Sequence, residues 1–222
     1  MHSASVRDHG QDLSQSVRET PRVFVVDDDI SMRESLESLI RHAGWQAETF
    51  ASAEEFLARP RALAAGCLVL DYCLPQLDGL SLQKHIALDD AHLPIIFITC
   101  YGDPPMVVQA MKAGALEILS KPFGDDELLS AINQGIVRSQ SALVRQAELR
   151  LLRTSYATLS PRERQVMALV VAGRLNKQIA RQLQISEITV KAHRGRAMHK
   201  MGADSLAALV KMAFKLNLEA MT

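Results

Sequence analysis

Four short apolar runs stand out along the chain: Val23-Phe24-Val25-Val26, Cys67-Leu68-Val69-Leu70, Pro94-Ile95-Ile96-Phe97-Ile98 and Ala115-Leu116-Glu117-Ile118-Leu119-Ser120. Longer stretches with apolar residues at helical spacing separate them. Short apolar runs of this kind suit strands buried on both faces, as parallel sheets require. The pattern predicts strands near 22–26, 46–50, 67–71, 94–99 and 115–120, and helices near 31–43, 53–59, 78–89, 104–113 and 125–137. The second strand is short and polar, which fits a sheet edge. Five alternating units of this size predict an α/β class fold: a doubly wound five-stranded parallel sheet with helices on both faces.

Helix punctuation supports the division. Asp103 precedes Pro104 as a cap precedes a first-turn proline, Gly114 ends that helix, and Gly44 follows the helical run 39–43. Asp125-Asp126-Glu127 places negative charge at a helix start, where the dipole is positive. Leu129, Ile132, Ile136, Leu143 and Ala147 continue at near-heptad spacing, so one long helix can run through 138–153. Ser139-Gln140-Ser141 interrupts that stripe, and a loose polar linker is the alternative.

The last third has a different grammar. Ser160-Pro161-Arg162-Glu163 is a capping box with proline at the first helical position, opening a helix that carries Val166, Leu169 and Val170 and ends near Gly173. Asn176 is the expected cap of a helix over 177–183, a short turn passes through Gln184-Ile185, and Ser186 caps a helix from Glu187 to about Met201. Two helices joined so tightly make a helix-turn-helix. In the second, Ile188, Val190, Ala197, Met198 and Met201 are the expected inward positions. Lys191, Ala192, His193, Arg194, Gly195, Arg196 and Lys200 supply a basic face suited to the major groove. The chain is thus expected to comprise a disordered leader over 1–20, an α/β domain over 21–138, a helical linker over 139–156 and a small all-α domain over 157–222.

Charge sharpens this division. The 25 Lys and Arg balance the 25 Asp and Glu. Residues 1–153 nevertheless carry 14 basic against 21 acidic side chains, and residues 154–222 carry 11 against 4. An acidic front and a basic tail point to a polyanion, most simply nucleic acid, as the partner of the tail. No apolar stretch reaches the roughly 20 residues that span a bilayer, and the first 20 residues are polar. A cytoplasmic protein with no membrane contact is expected. The three cysteines, Cys67, Cys73 and Cys100, show no metal spacing and are expected to be free thiols with small buried side chains.

The candidate chemistry lies at the strand ends. The apolar runs deliver Asp27 and Asp28, Asp71, Thr99 and Lys121, and a parallel sheet gathers such ends on one edge. Clustered carboxylates suit Mg2+, which takes one or two carboxylates and keeps several waters. Phosphoryl transfer needs little beyond a nucleophilic oxygen, that cation, and donors for the remaining charge. Asp29, next to Ile30-Ser31, suits a helix cap as well as it suits metal support.

On these residues the chain resembles known families. The paired acids of Val26-Asp27-Asp28-Asp29, the acceptor in Leu70-Asp71-Tyr72-Cys73-Leu74-Pro75-Gln76-Leu77-Asp78-Gly79, Thr99 and Lys121-Pro122-Phe123 resemble the receiver domain of two-component response regulators, whose sheet is flavodoxin-like. The resemblance implies that Asp71 accepts phosphate from a sensor histidine kinase. It also implies that Asp27, Asp28, Asp71 and the Cys73 carbonyl hold Mg2+, that Thr99 and Lys121 bind phosphoryl oxygens, and that Lys121-Pro122 is cis. Many receivers carry an aromatic residue three positions before the lysine. Here it is Ile118, so switching must pass through an aliphatic side chain or lean on Tyr101.

Residues 157–220 resemble the LuxR-type helix-turn-helix of FixJ/NarL regulators, in Leu159-Ser160-Pro161-Arg162-Glu163-Arg164-Gln165-Val166, Asn176-Lys177-Gln178-Ile179-Ala180 and Thr189-Val190-Lys191-Ala192-His193-Arg194. That resemblance implies a fourth helix from about Ser205 and DNA contacts among Lys177, Thr189, Lys191, Ala192, Arg194, Gly195 and Arg196. Together the two imply a transcription regulator, not an enzyme. Phosphorylation would promote homodimerisation and binding to double-stranded promoter DNA, with RNA polymerase a further partner. Two rivals stand beside it: a phosphorylation-independent DNA-binding regulator, and a phosphatase of haloacid-dehalogenase type built on the D-x-D of Asp27 and Asp29.

Overall fold

The computed structural model describes residues 20–60, 64–75, 79–89, 92–100 and 103–217. The expected leader, Thr20 aside, and Tyr101 lie outside these residues. The chain divides into two units, Met1–Val144 and Arg145–Thr222.

The first unit is built on β1 (Arg22–Val26), β2 (Gln46–Phe50), β3 (Gly66–Asp71), β4 (Ile95–Thr99) and β5 (Glu117–Ser120), all parallel in the order β2-β1-β3-β4-β5. The polar β2 takes an edge. β4 starts one residue later than the apolar run, because Pro94 has no N–H to give the ladder. β5 starts at Glu117 because the Ala115 N–H instead closes the preceding helix, donating to the Ala110 carbonyl at 3.0 Å. Gly114, at φ 97°, makes that reversal.

Strand parity divides the core in two. Val23, Val25, Cys67, Val69, Ile96 and Ile98 pack with Leu36 and Ile40 of α1 (Ile30–His42) and Leu128, Ile132 and Ile136 of α5 (Asp125–Ala157). Phe24, Val26, Leu68, Leu70, Ile95 and Phe97 pack with Phe56 of α2 (Ala53–Ala58), Leu82 and Ile86 of α3 (Gly79–Asp89), and Ala110 of α4 (Pro104–Lys112). Burial on both faces is why these runs are continuously apolar rather than alternating. Asp103 caps α4, accepting from the Met106 N–H, as the sequence predicts. Lys121-Pro122 is cis.

α5 continues for 33 residues, so the interrupted stripe is helical rather than a loose linker. Its polar residues are absorbed: Ser139 is buried, its Oγ accepting the Gly66 N–H at 3.1 Å, and Ser141 Oγ donates to the Val137 carbonyl at 3.0 Å. Gly135 lets α5 approach β3. A Cβ built there would lie 2.8 Å from the Cys67 Cβ. Cys67 alone among the cysteines is buried, and burial pushes its thiol up to about 12. Cys73 and Cys100 are exposed, contrary to expectation, because both follow strand ends at the sheet edge.

The second unit packs α6 (Pro161–Val171), α7 (Asn176–Leu183), α8 (Glu187–Met201) and α9 (Leu206–Lys215) around Val166, Met167, Ile179, Val190, Ala197, Met201 and Leu209. The Ser160–Glu163 capping box is complete. Asn176 does not cap α7. Leu175 takes that position in extended backbone and gives its N–H to Gln178 Oε1 at 2.9 Å, leaving Asn176 as the first helical residue. Gln184, in the left-handed region at φ 54°, turns the chain between α7 and α8. Ile188 is not an inward position, for it lies 79% exposed. Among the described residues, no helix is long and apolar enough to cross a membrane.

Gly135→Val should overpack the α5–β3 contact and cost roughly 1–3 kcal/mol of stability. Urea denaturation followed by circular dichroism measures this, and an unshifted midpoint contradicts the close approach.

Candidate functional site

Oxygens of Asp27, Asp28 and Asp71 lie within 4.8 Å of one another at the carboxyl edge of the sheet. β1 ends into Asp27 and β3 ends on Asp71, and the pairing of the two strands fixes the distance between them. Asp27 is fully buried, Asp71 is 7% exposed and Asp28 is exposed. The two buried acids are held alike. Asp27 Oδ1 accepts the Asp29 N–H at 2.9 Å, and Asp71 Oδ1 accepts the Cys73 N–H at 2.9 Å. In each case the donor is two residues downstream, the short loop-back that aspartate makes at strand ends.

Lys121 closes the arrangement. Its Nζ donates to Asp27 Oδ2 at 3.0 Å and to Asp71 Oδ2 at 2.8 Å. Burial pushes the Asp27 carboxyl above its ordinary value of 3.8, against the opposing pull of the Asp29 N–H and of Lys121. Burial would lower the Lys121 ammonium, but its hydrogen bonds to Asp71 and Asp27 prevail and hold it above 10.5. An all-oxygen, acid-rich cluster of this kind is chemically matched to a hard divalent cation and offers no soft ligand.

Thr99 is fully buried at the end of β4, and its carbonyl accepts the Lys121 N–H at 2.8 Å. Ile118 pairs in register with Phe97 and is half-buried against the cluster that contains Leu70 and Phe97. Asp29 caps α1, its Oδ1 accepting from the Ser31 N–H at 2.8 Å and the Met32 N–H at 3.4 Å, and it is not in the acid cluster. That geometry counts against the D-x-D reading.

In the helix-turn-helix, Lys177, Lys191, Ala192, Gly195 and Arg196 are exposed, whereas Thr189 and Arg194 are half-buried. Thr189 bonds Ser186 at the helix cap, with 2.8 Å between the hydroxyls. Arg196 is engaged within the unit: its Nε lies 3.4 Å from Glu163 and its Nη2 bonds His193 Nδ1 at 3.0 Å. Lys200 donates to Glu163 at 2.7 Å.

Two residues emerge that the sequence pattern did not single out for these roles. Arg33 Nη1 donates to the carbonyls of Asp27 at 2.7 Å and Asp28 at 3.0 Å, clamping the acidic loop from the first turns of α1. Its position four residues after Asp29 was the available signal, since i,i+4 spacing returns a side chain over the helix start. Glu163 does more than complete a capping box. Buried to 3% exposure, it ties the start of α6 to Lys200 and Arg196 of α8, and its hydrogen bonds from Lys200 and from the Ser160 N–H hold its carboxyl down at about 2.

Comparison with known proteins gives the same division. Residues 23–133 match the response regulator receiver domain, and residues 157–213 match the bacterial regulatory proteins of the luxR family. Nodulation protein W of Bradyrhizobium diazoefficiens is 48% identical over 198 residues, covering 89% of this chain and 87% of that protein. The transcriptional regulatory protein FixJ of the same organism is 41% identical, covering 87% of this chain and 94% of that protein. Among solved structures, the response regulator StyR aligns with a TM-score of 0.75 at 45% identity, over 89% of this chain and 100% of the other. Full-length FixJ from B. japonicum aligns at 0.53 and 40%, over 89% and 97%.

The Glu163 network carries a pH signature. A carboxyl at about 2 in the folded chain against an ordinary 4.5 stabilises the fold above the ordinary value and loses that contribution as pH falls towards 2. Glu163→Gln should therefore lower the unfolding midpoint at neutral pH, and its deficit should close between those two values. A deficit unchanged across that range would contradict the assignment.

Proposed function

The chain belongs to the two-component response regulators that join a receiver domain to a LuxR-type DNA-binding domain, and we propose that Asp71 is the carboxylate through which it is switched. A sensor kinase and DNA are the partners this membership implies. The observation that carries the Asp71 assignment is the shared Lys121 ammonium, 2.8 Å from one of its oxygens and 3.0 Å from Asp27. Of the two acids bonded to Lys121, Asp71 is 7% exposed, whereas Asp27 is sealed. In the proposed step an Asp71 oxygen attacks the phosphorus of the kinase phosphohistidine. A P–O bond forms, the P–N bond breaks, and the imidazole leaves.

Asp27, Asp28, Asp71 and the Cys73 carbonyl would hold Mg2+, which when bound neutralises charge on the transferring oxygens. The acid cluster and the clamp of Arg33 on the Asp27 and Asp28 carbonyls support that ligand set. Lys121, already on Asp71, is the donor that the new phosphoryl group inherits. Thr99, one backbone hydrogen bond from Lys121, is the hydroxyl drawn to it.

Movement of Thr99 would pass along β4 and β5 through Ile118 to the surface around residues 104–120. The exposed Val108 and Met111 of α4 make that surface suitable for pairing with a second copy, so phosphorylation would yield a homodimer. Two DNA-binding domains would then engage paired half-sites together, with RNA polymerase contacted from the bound promoter. Within each, α8 would enter the major groove through Lys191, Ala192 and Gly195, with Lys177, Thr189, Arg194 and Arg196 supporting. The leader, receiver, linker and DNA-binding domain are assigned to 1–20, 21–138, 139–156 and 157–222, and the protein to the cytoplasm.

Treatment with acetyl phosphate and Mg2+ should tighten promoter binding and convert the wild-type chain to a dimer in sedimentation velocity. Asp71→Asn should respond in neither assay. Promoter binding unchanged by acetyl phosphate, or by Asp71→Asn, would favour a phosphorylation-independent regulator. Lys191→Ala should weaken binding to all sequences and reduce the slope of log affinity against log salt by about 1. An unchanged slope would remove Lys191 from the phosphate-contacting set.

A further inference from the structure

The open face of α8 is not the uniformly basic one that its composition suggests. Arg196 and Lys200 are turned to Glu163, and Arg194 is half-buried. The residues left open at i, i+3, i+4 and i+7 are Ile188, Lys191, Ala192 and Gly195, all exposed. A Cβ added at Gly195 would meet no atom within 4 Å, so the middle of this face is bare backbone with room before it. Among the described residues Ile188 is the most exposed of the large apolar side chains, at 79%, and stands in the first turn of the helix. An exposed apolar side chain alone is ordinary. This one sits where a major-groove helix presents side chains to base edges.

The apolar feature of the major groove is the 5-methyl group of thymine, which a branched aliphatic side chain can cover. From this juxtaposition we infer that Ile188 is a specificity-determining residue that packs on a thymine methyl in each half-site, while Gly195 allows the helix to sit close to the bases. The inference rests on the assignment of α8 as the reading helix. Lys191, between the two, supplies the charged contact. Ile188 supplies no charge, so its contribution is to sequence choice and not to general affinity for DNA.

The test uses the full chain, treated with phosphodonor, on a duplex obtained by selection from random sequence. Each thymine of the half-site is replaced in turn by deoxyuridine, which removes only the methyl group. At one position, wild-type affinity should fall about fourfold, the equivalent of the ~0.8 kcal/mol of one buried CH2. Ile188→Ala should bind the thymine and deoxyuridine duplexes equally and keep the wild-type salt dependence. The inference is overturned if no thymine is sensitive, or if the sensitivity survives Ile188→Ala while Lys191→Ala loses affinity. If Lys191→Ala binds as wild type does, the reading-helix assignment itself falls, and the inference with it. Ile188 is 79% exposed, and matched unfolding midpoints verify that the alanine variant is folded.

Discussion

Two buried carboxylates that share one ammonium set the terms for the whole first unit. Charge taken out of water is costly unless it is paired and hydrogen-bonded. Asp27 and Asp71 meet that requirement through Lys121 and through the backbone N–H groups of Asp29 and Cys73. The three residues come from three strands, so the pairing order of β1, β3, β4 and β5 is a condition of the site. The sheet is buried on both faces for its own stability, and the same burial gives the edge its strained electrostatics. On the proposed reading, a site held in this way would exchange partners when a phosphoryl group arrives.

The second unit solves a comparable problem with the opposite sign. A helix carrying Lys191, Arg194, Arg196 and Lys200 repels itself, and Glu163 answers by drawing two of the four charges towards α6. Packing of Val190, Ala197 and Met201 into the core sets the rotation of α8 about its axis. It leaves Ile188, Lys191, Ala192 and Gly195 as the face presented outwards.

Much of this was legible in the sequence, and the reasons differ by element. The strands could be read because burial on both faces demands unbroken apolar runs, and the strand-end acids followed from parallel topology. Helix starts at Asp103, Ser160 and Ser186 were visible because side-chain capping is a local property. What escaped depended on long-range packing. Ser139 looks like a helix breaker until Gly66 is seen to need an acceptor. Ile188 looks inward by residue type, yet helical phase sets it opposite Val190 and Ala197. The pairing of Arg196 with Glu163, more than thirty residues earlier, has no local signal in the sequence. Cys73 and Cys100 look like core residues by composition but fall just beyond the strands.

On the proposed reading the Lys121-bridged edge takes its phosphoryl group on Asp71 and on no other acid of the cluster. Borohydride reduction of the phosphodonor-treated chain converts an aspartyl phosphate to homoserine, and peptide mass spectrometry then reads its position. Homoserine at position 71 alone is the expected result. Homoserine at position 27 or 28, or none at all under conditions that change DNA binding, would contradict it.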